Sequence, residues 1–300
     1  MDDWAHRTPN LNGLSYRFSV RADDRRLGRL VDVALGGLHD AGEGPPAEHC
    51  YSLTASEGVA GTVDVTRDGE VVARGQRSGD AVGWVVWDVN RAAAEASGDH
   101  LLFHAGALEA SGVGVLVPGP SGSGKSTLVA GLARAGLGYL TDELSALDLA
   151  SGELLPYPKP ITVKPGSFTA LSDLDPAAGL DPGPGSWAGE EWQVPAGAGT
   201  GIRIGRACQP GVVVVPRYDA GAETALTPLT ETEAFFALAA NAVNLLPLGA
   251  AAIAVLGRVA AGCRCCALTM SDLDEACRLV QGLVAEAAAP AARRGGVHVR

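Results

Sequence analysis

Gly119-Pro120-Ser121-Gly122-Ser123-Gly124-Lys125-Ser126-Thr127 follows the apolar run Val113-Gly114-Val115-Leu116-Val117 and precedes the helical pattern Leu128-Val129-Ala130-Gly131-Leu132-Ala133. Strand, glycine-rich loop and helix in this order are the setting of a phosphate-binding P-loop. Successive backbone N–H groups of such a loop form an anion nest, and the start of the next helix adds positive dipole charge. The pattern assigns Gly119, Ser121, Gly122, Ser123, Gly124, Lys125, Ser126 and Thr127 to nucleotide phosphates. Lys125 is expected to reach the β and γ phosphates, and Ser126 to offer its hydroxyl to Mg²⁺, so the expected ligands are ATP and Mg²⁺.

Working outward, 300 residues suffice for two domains of ordinary size, and 47% hydrophobic against 19% charged residues can build a core. The net charge of -11 repels polyanions, so nucleic acid is not expected as a partner and any nucleotide must be held locally. Twenty arginines stand against three lysines, Lys125, Lys159 and Lys164. A lysine kept against that bias suggests a compact point charge, which singles out Lys159 and Lys164 beside Lys125. The six cysteines lack two matched CxxC pairs and read as reduced core thiols, with Cys263 and Cys265 on one face of a strand. Met1-Asp2-Asp3 opens no signal-peptide pattern, and a cytoplasmic location is expected. The uncharged stretch Ala234 to Gly257 is long enough for a membrane span, but Asn241, Asn244 and Pro247 interrupt it. Thr230-Glu231-Thr232-Glu233 is a capping box. The stretch reads as a helix ending near Leu246 and then a strand from Ala252 to Leu256, with no membrane partner.

The organisation expected is a small α/β N-terminal domain over residues 1–99, a P-loop kinase domain over 100–290 and a flexible tail over 291–300. In the first, Tyr16 to Val20 reads as a strand, Thr62 to Thr66 and Glu70 to Ala73 as a hairpin turning at Asp68-Gly69, and Asp80 to Ala96 as a helix striped by Val82, Val85, Val86, Val89 and Ala93. That unit suits acceptor recognition, oligomerisation or a structural cap. In the second, Leu101 to Ala110 and Val113 to Val117 form a hairpin through Ser111-Gly112, and Leu137 to Leu149 is one strand carrying Asp142-Glu143. The Gly- and Pro-rich segment 172–200, with Trp187 and Trp192, reads either as a mobile lid or as a disordered insertion. A strand at Val212 to Val215 and a helix from Ser271 to about Ala285 complete the pattern.

Phosphoryl transfer needs positioning, charge stabilisation and a group to take the acceptor's proton. Asp142 and Glu143 follow Lys125 by 17 and 18 positions, where the carboxyl end of a strand neighbouring the P-loop is expected. Their side chains alternate, so one faces the γ-phosphate while the other approaches metal, water or the helix start. His104 is carried by the hairpin toward the phosphate end, in a catalytic or phosphate-contact role. Further phosphate contacts are sought among Lys159, Lys164, Arg203 and Arg217; the two lysines, five apart, cannot share one side of a strand.

His104-Ala105-Gly106, Gly119 to Ser126 and Thr141-Asp142-Glu143 together resemble the catalytic domain of the HPr kinase/phosphorylase family, with weaker similarity to about Val284. The resemblance implies a phosphoenolpyruvate-carboxykinase-like P-loop fold with a mixed sheet, and a homo-oligomer. It further implies that Asp142 is the base activating a hydroxyl, that Glu143 helps bind Mg²⁺ and that His104 lies near the transferred phosphate. The family has two aspartates where this chain has Asp142-Glu143. The function expected is an ATP-dependent kinase of an alcohol, a serine hydroxyl on a protein or peptide first. The alternatives are a small-molecule hydroxyl as acceptor, or a transport-type or non-catalytic nucleotide-binding ATPase.

Overall fold

The structure, a computed structural model, describes residues 4–39, 45–176, 191–197 and 199–289. It is mixed α/β and has more than one mixed sheet. The N-terminal part runs β1 (His6–Arg7), β2 (Leu11–Gly13), β3 (Tyr16–Ala22), α1 (Arg25–Leu35), β4 (His49–Ala55), β5 (Val63–Arg67), β6 (Glu70–Gln76) and α2 (Ser78–Ala96). Its sheet is ordered β1-β3-β4-β5-β6 with β2 on β3, and within it β3 and β4 are parallel. The period of two along β3 buries Tyr16, Phe18, Val20 and Ala22. Asp68 and Gly69 both take positive φ (52° and 91°), as a two-residue turn that matches strand twist requires, and this closes the expected β5–β6 hairpin. The expected α2 stripe of Val82, Val85, Val86, Val89 and Ala93 is buried throughout.

The remainder runs β7 (His100–Ala110), β8 (Val113–Pro118), α3 (Lys125–Arg134), β9 (Gly138–Thr141), β10 (Leu144–Asp148), β11 (Leu154–Leu155), β12 (Ile161–Val163), β13 (Trp192–Val194), β14 (Gln209–Tyr218), β15 (Ala225–Pro228), α4 (Glu231–Ala240), α5 (Leu245–Leu248), α6 (Ala250–Gly262), β16 (Arg264–Met270) and α7 (Leu273–Ala288). An eight-stranded sheet has the order β11-β10-β7-β8-β14-β16-β15, with β9 also on β7; β12 and β13 form a separate ribbon. β8 thus lies between antiparallel β7 and parallel β14. It is apolar on both faces because both are covered: Val115 and Val117 join a core with α3 and α7, while Leu116 joins one with α4 and α6. The core of the N-terminal part also takes in Leu102, Leu144, Ala146 and Tyr157, so apolar packing continues across residues 99 and 100.

Three expectations are corrected. Ala252 to Leu256 is not a strand but part of α6, and the preceding helix stops at Ala240 rather than near Leu246. Burial at Ala252, Val255, Leu256, Val259 and Ala260 follows the helical period, which outweighs any strand preference in an alanine-rich run. Leu137 to Leu149 is broken into β9 and β10 at Asp142-Glu143, and both pair with β7 rather than with β8. Cys263 ends α6, while Cys265 and Cys266 lie in β16; all six cysteines are free thiols. Of segment 172–200, Ser172–Leu174 is a short 3-10 turn and Trp192 belongs to β13, whereas Trp187 lies outside the described residues, as does the tail 291–300. Among the described residues no helix is long and apolar enough to cross a membrane.

Candidate functional site

The loop from Gly119 to Gly124 joins the end of β8 to the start of α3. Gly122 and Gly124 have φ of 83° and 89°, a region that L side chains seldom adopt. Gly124 is doubly constrained, since a β-carbon there would lie 2.1 Å from Met270 Cε. Asp24, Thr230 and Asp272 cap α1, α4 and α7 with side-chain oxygens, but Gly124 gives α3 no such cap. The first N–H groups of α3 are therefore left to a ligand or water, at the positive end of the helix dipole. Ser123 Oγ is buried with no hydrogen-bond partner among the described residues, and the Tyr218 amide donates to the Ser123 carbonyl at 3.1 Å, tying the loop to β14.

Lys125 begins α3 and is buried, with its Nζ 3.4 Å from His104 Nε2 on β7. Burial lowers the Lys125 pKa, and Asp142 and Glu143 oppose that shift. Burial and then the Lys125 charge lower the His104 pKa, so its ring is neutral at neutral pH and its Nε2 can accept from Lys125. Gly106, two residues on, lets α3 approach β7: a β-carbon there would lie 2.3 Å from Val129 Cγ2.

Asp142 is 1% exposed and held from three sides. Its Oδ1 accepts from Lys159 Nζ at 2.6 Å, its Oδ2 accepts from the Thr162 amide at 3.1 Å, and Tyr139 Oη lies 3.0 Å from Oδ1. The Tyr139 hydroxyl is also 2.9 Å from the Lys159 carbonyl oxygen, and its one proton serves one acceptor at a time. Burial alone would lower the Lys159 pKa, but Asp142 and Glu143 outweigh it and the ammonium is held above its ordinary value. Glu143 is different: its side chain is 43% exposed and stands 3.5 Å from Lys159 Nζ.

A cavity of about 640 Å³ joins these groups, and His104, Lys125, Ser126, Asp142 and Glu143 all line it. That volume suits a nucleotide-sized ligand. Among the residues sequence reasoning selected, Ser121, Gly122, Gly124, Thr127 and Lys164 also line it. Lys159 is not among the residues lining the cavity; it lies fully buried and pairs with Asp142. Arg203 is likewise absent from the cavity lining; it pairs with Glu109 at 3.0 Å and lines a separate depression. Arg217 is not among the residues lining the cavity; it stands exposed on β14, 3.4 Å from Asp219. Tyr139, Thr162, Gln193, Tyr218, Met270 and Trp87 belong to the site or its support without any sequence spacing that marks them. Among the described residues no group of three or more His, Cys, Asp or Glu gathers to hold a metal. Ser126 and Glu143 nonetheless fit Mg²⁺, which takes one or two protein oxygens and fills its other positions with phosphate and water. No model of a known protein family matches the chain, and no curated protein matches it.

Proposed function

We propose that this chain is a Mg²⁺-dependent ATP phosphotransferase of the HPr-kinase-like kind, built on a phosphoenolpyruvate-carboxykinase-like P-loop fold. It moves the γ-phosphoryl group to an alcohol, a serine hydroxyl of a protein or peptide before any other. The observation that carries this reading is that Lys125 and the Asp142-Glu143 pair line one cavity although a helix and a strand separate them in the chain. The uncapped start of α3 and the left-handed glycines suit phosphates. Lys125 pairs with the β and γ oxygens, and neutral His104 steers its ammonium. Mg²⁺ held by Ser126 and Glu143 would neutralise further charge on those oxygens.

Asp142 takes the acceptor's proton as the acceptor oxygen bonds to the γ-phosphorus, and the bond from phosphorus to the bridging oxygen breaks to release ADP. Among the described residues Oδ2 accepts from the Thr162 amide alone, so it keeps a lone pair for a hydroxyl. Lys159 Nζ, 2.6 Å from Oδ1, fixes the orientation of the carboxyl group and leaves Oδ2 as the atom nearer an incoming hydroxyl. Incubation with γ-labelled ATP, serine-containing peptides and small alcohols, followed by mass spectrometry of the products, tests the reading. Label is expected on an alcohol oxygen. Lys125→Ala should lose nucleotide affinity or turnover, whereas Asp142→Asn should still bind ATP and lose about a hundred- to ten-thousand-fold in transfer. Undiminished transfer by Asp142→Asn would contradict the assigned base, and hydrolysis that no alcohol intercepts would favour the ATPase reading.

A further inference from the structure

The cavity has two unlike ends, and contacts order the groups between them. At one end Tyr218 and Met270, on the ends of β14 and β16, pack against Gly124. From the loop Lys125 leads to His104 at 3.4 Å, His104 is paired across β7 and β10 with Leu144, two residues beyond Asp142, and Asp142 accepts from the Thr162 amide on β12. Thr162 Oγ1 lies 3.4 Å from Gln193 Oε1 on β13, and Gln193 Nε2 lies 4.0 Å from the place a β-carbon would take on Gly83. Gly83 and Trp87 are one turn apart on α2 of the N-terminal part, and both line the cavity. The base therefore stands between the phosphate loop and α2, and the cavity continues beyond it to α2.

Trp87 is 56% exposed, an unusual state for an indole facing a concave surface. It is not loosely placed: its ring meets Trp84 edge to face at 5.5 Å, and Trp84 Nε1 donates to Gln76 Oε1 at 3.1 Å. Gly83 sits in the middle of a 19-residue helix, where glycine lowers helix stability by about 1 kcal/mol relative to alanine. Among the described residues nothing but the tip of Gln193 comes within 4 Å of the missing β-carbon, so their packing does not demand a glycine there. What its absence of side chain provides is room in the cavity beside Trp87.

We infer that the acceptor binds between α2 and the β12–β13 ribbon, with an apolar or aromatic group laid on Trp87 over Gly83 and its hydroxyl directed at Asp142. This rests on the phosphotransferase reading and extends it to the substrate: an alcohol carrying an apolar or aromatic group near the reacting oxygen. The nucleobase then lies at the Tyr218 and Met270 end. An acceptor of this kind can be a serine flanked by an apolar residue in a peptide, or a free aryl or alkyl alcohol.

The test uses the full chain, γ-labelled ATP and two panels: serine peptides with Trp, Leu, Gly or Asp beside the serine, and the free alcohols 2-phenylethanol, hexanol, ethanol and glycerol. The Trp and Leu peptides, or the phenyl and hexyl alcohols, should be the favoured members, and whichever panel reacts identifies the source. Trp87→Ala should raise the KM of the favoured acceptor about tenfold, and Gly83→Leu at least as much, with the Kd for Mg-ATP unchanged in both. Equal KM values in wild type and both variants, or preference for the glycine and aspartate peptides and for ethanol and glycerol, would overturn the inference and leave the phosphotransferase reading standing. A loss of Mg-ATP affinity in Trp87→Ala would overturn it by putting the nucleobase on α2. Hydrolysis of ATP without label on any panel member would overturn both the acceptor class and the kinase assignment, and wild-type failure to bind Mg-ATP would strike the phosphotransferase reading first.

Discussion

The three lysines of an arginine-rich chain come together at one site: Lys125 and Lys164 line the cavity, and Lys159 holds Asp142 from behind. An ammonium is a compact charge on a flexible stem, which suits both a narrow phosphate cradle and a buried carboxylate. Composition singled out these three lysines, but not the pairing of Lys159 with Asp142. Its partner lies 17 positions away, and only the fold of β9 against the segment before β12 brings the two to 2.6 Å. Lys159→Met leaves the Asp142 carboxylate buried and unpaired and should lower unfolding stability by about 3–5 kcal/mol. Asp142→Asn with Lys159→Met removes both charges and should regain most of that in a urea titration while transfer stays lost. A double variant no more stable than Lys159→Met would show that the pair is not what sets the loss. His104 adds a pH signature. Its pKa is lowered from 6.5 in the folded chain, so the unfolded chain takes up the proton first as pH falls. Stability should therefore decline as pH drops below about 6.5 toward the folded-state pKa, and His104→Gln should remove part of that decline; an identical decline in the variant would contradict it.

Turns and caps were the most readable elements, because each is fixed by residues adjacent in sequence. Asp68-Gly69 and Ser111-Gly112 make their hairpins with both turn residues at positive φ, and Thr230 with Glu233 forms the capping box in full. Thr230→Ala should therefore lower stability by about 1 kcal/mol with Mg-ATP affinity unaltered; an unchanged denaturation midpoint would mean that the box adds nothing. Regions without local punctuation were read less well. The uncharged run around Pro247 lacks a polar face, so its period is visible only once the core shows which side of α6 is buried. The break between β9 and β10 is a bend at Asp142 and Glu143 that carries no glycine or proline to mark it, and across it the Glu143 carbonyl still accepts from the Ala105 amide at 3.0 Å. Placing the carboxylates beyond β7, and not beside β8, is a long-range pairing that spacing alone does not specify.

At the scale of the whole molecule, two parts of the chain with separate sheets share one apolar boundary and one cavity. Loop residues Pro120 to Gly122, the start of α3 and the Asp142-Glu143 pair line that cavity together, a meeting that motif and spacing led one to expect. Of the α2 wall only Val86 belongs to the expected stripe; Gly83 and Trp87 lie outside it and carried no mark in the sequence. In the proposed complex the phosphates lie on the loop, with the terminal one turned toward Asp142 and Glu143. A crystal structure of the full chain with Mg²⁺ and a non-hydrolysable ATP analogue measures this directly. The β and γ phosphates are predicted to accept from the backbone N–H groups of residues 122–126, with the metal between Ser126 and Glu143 and the γ-phosphorus on the Asp142 side. A nucleotide bound elsewhere, or one whose γ-phosphate points away from both carboxylates, would contradict it.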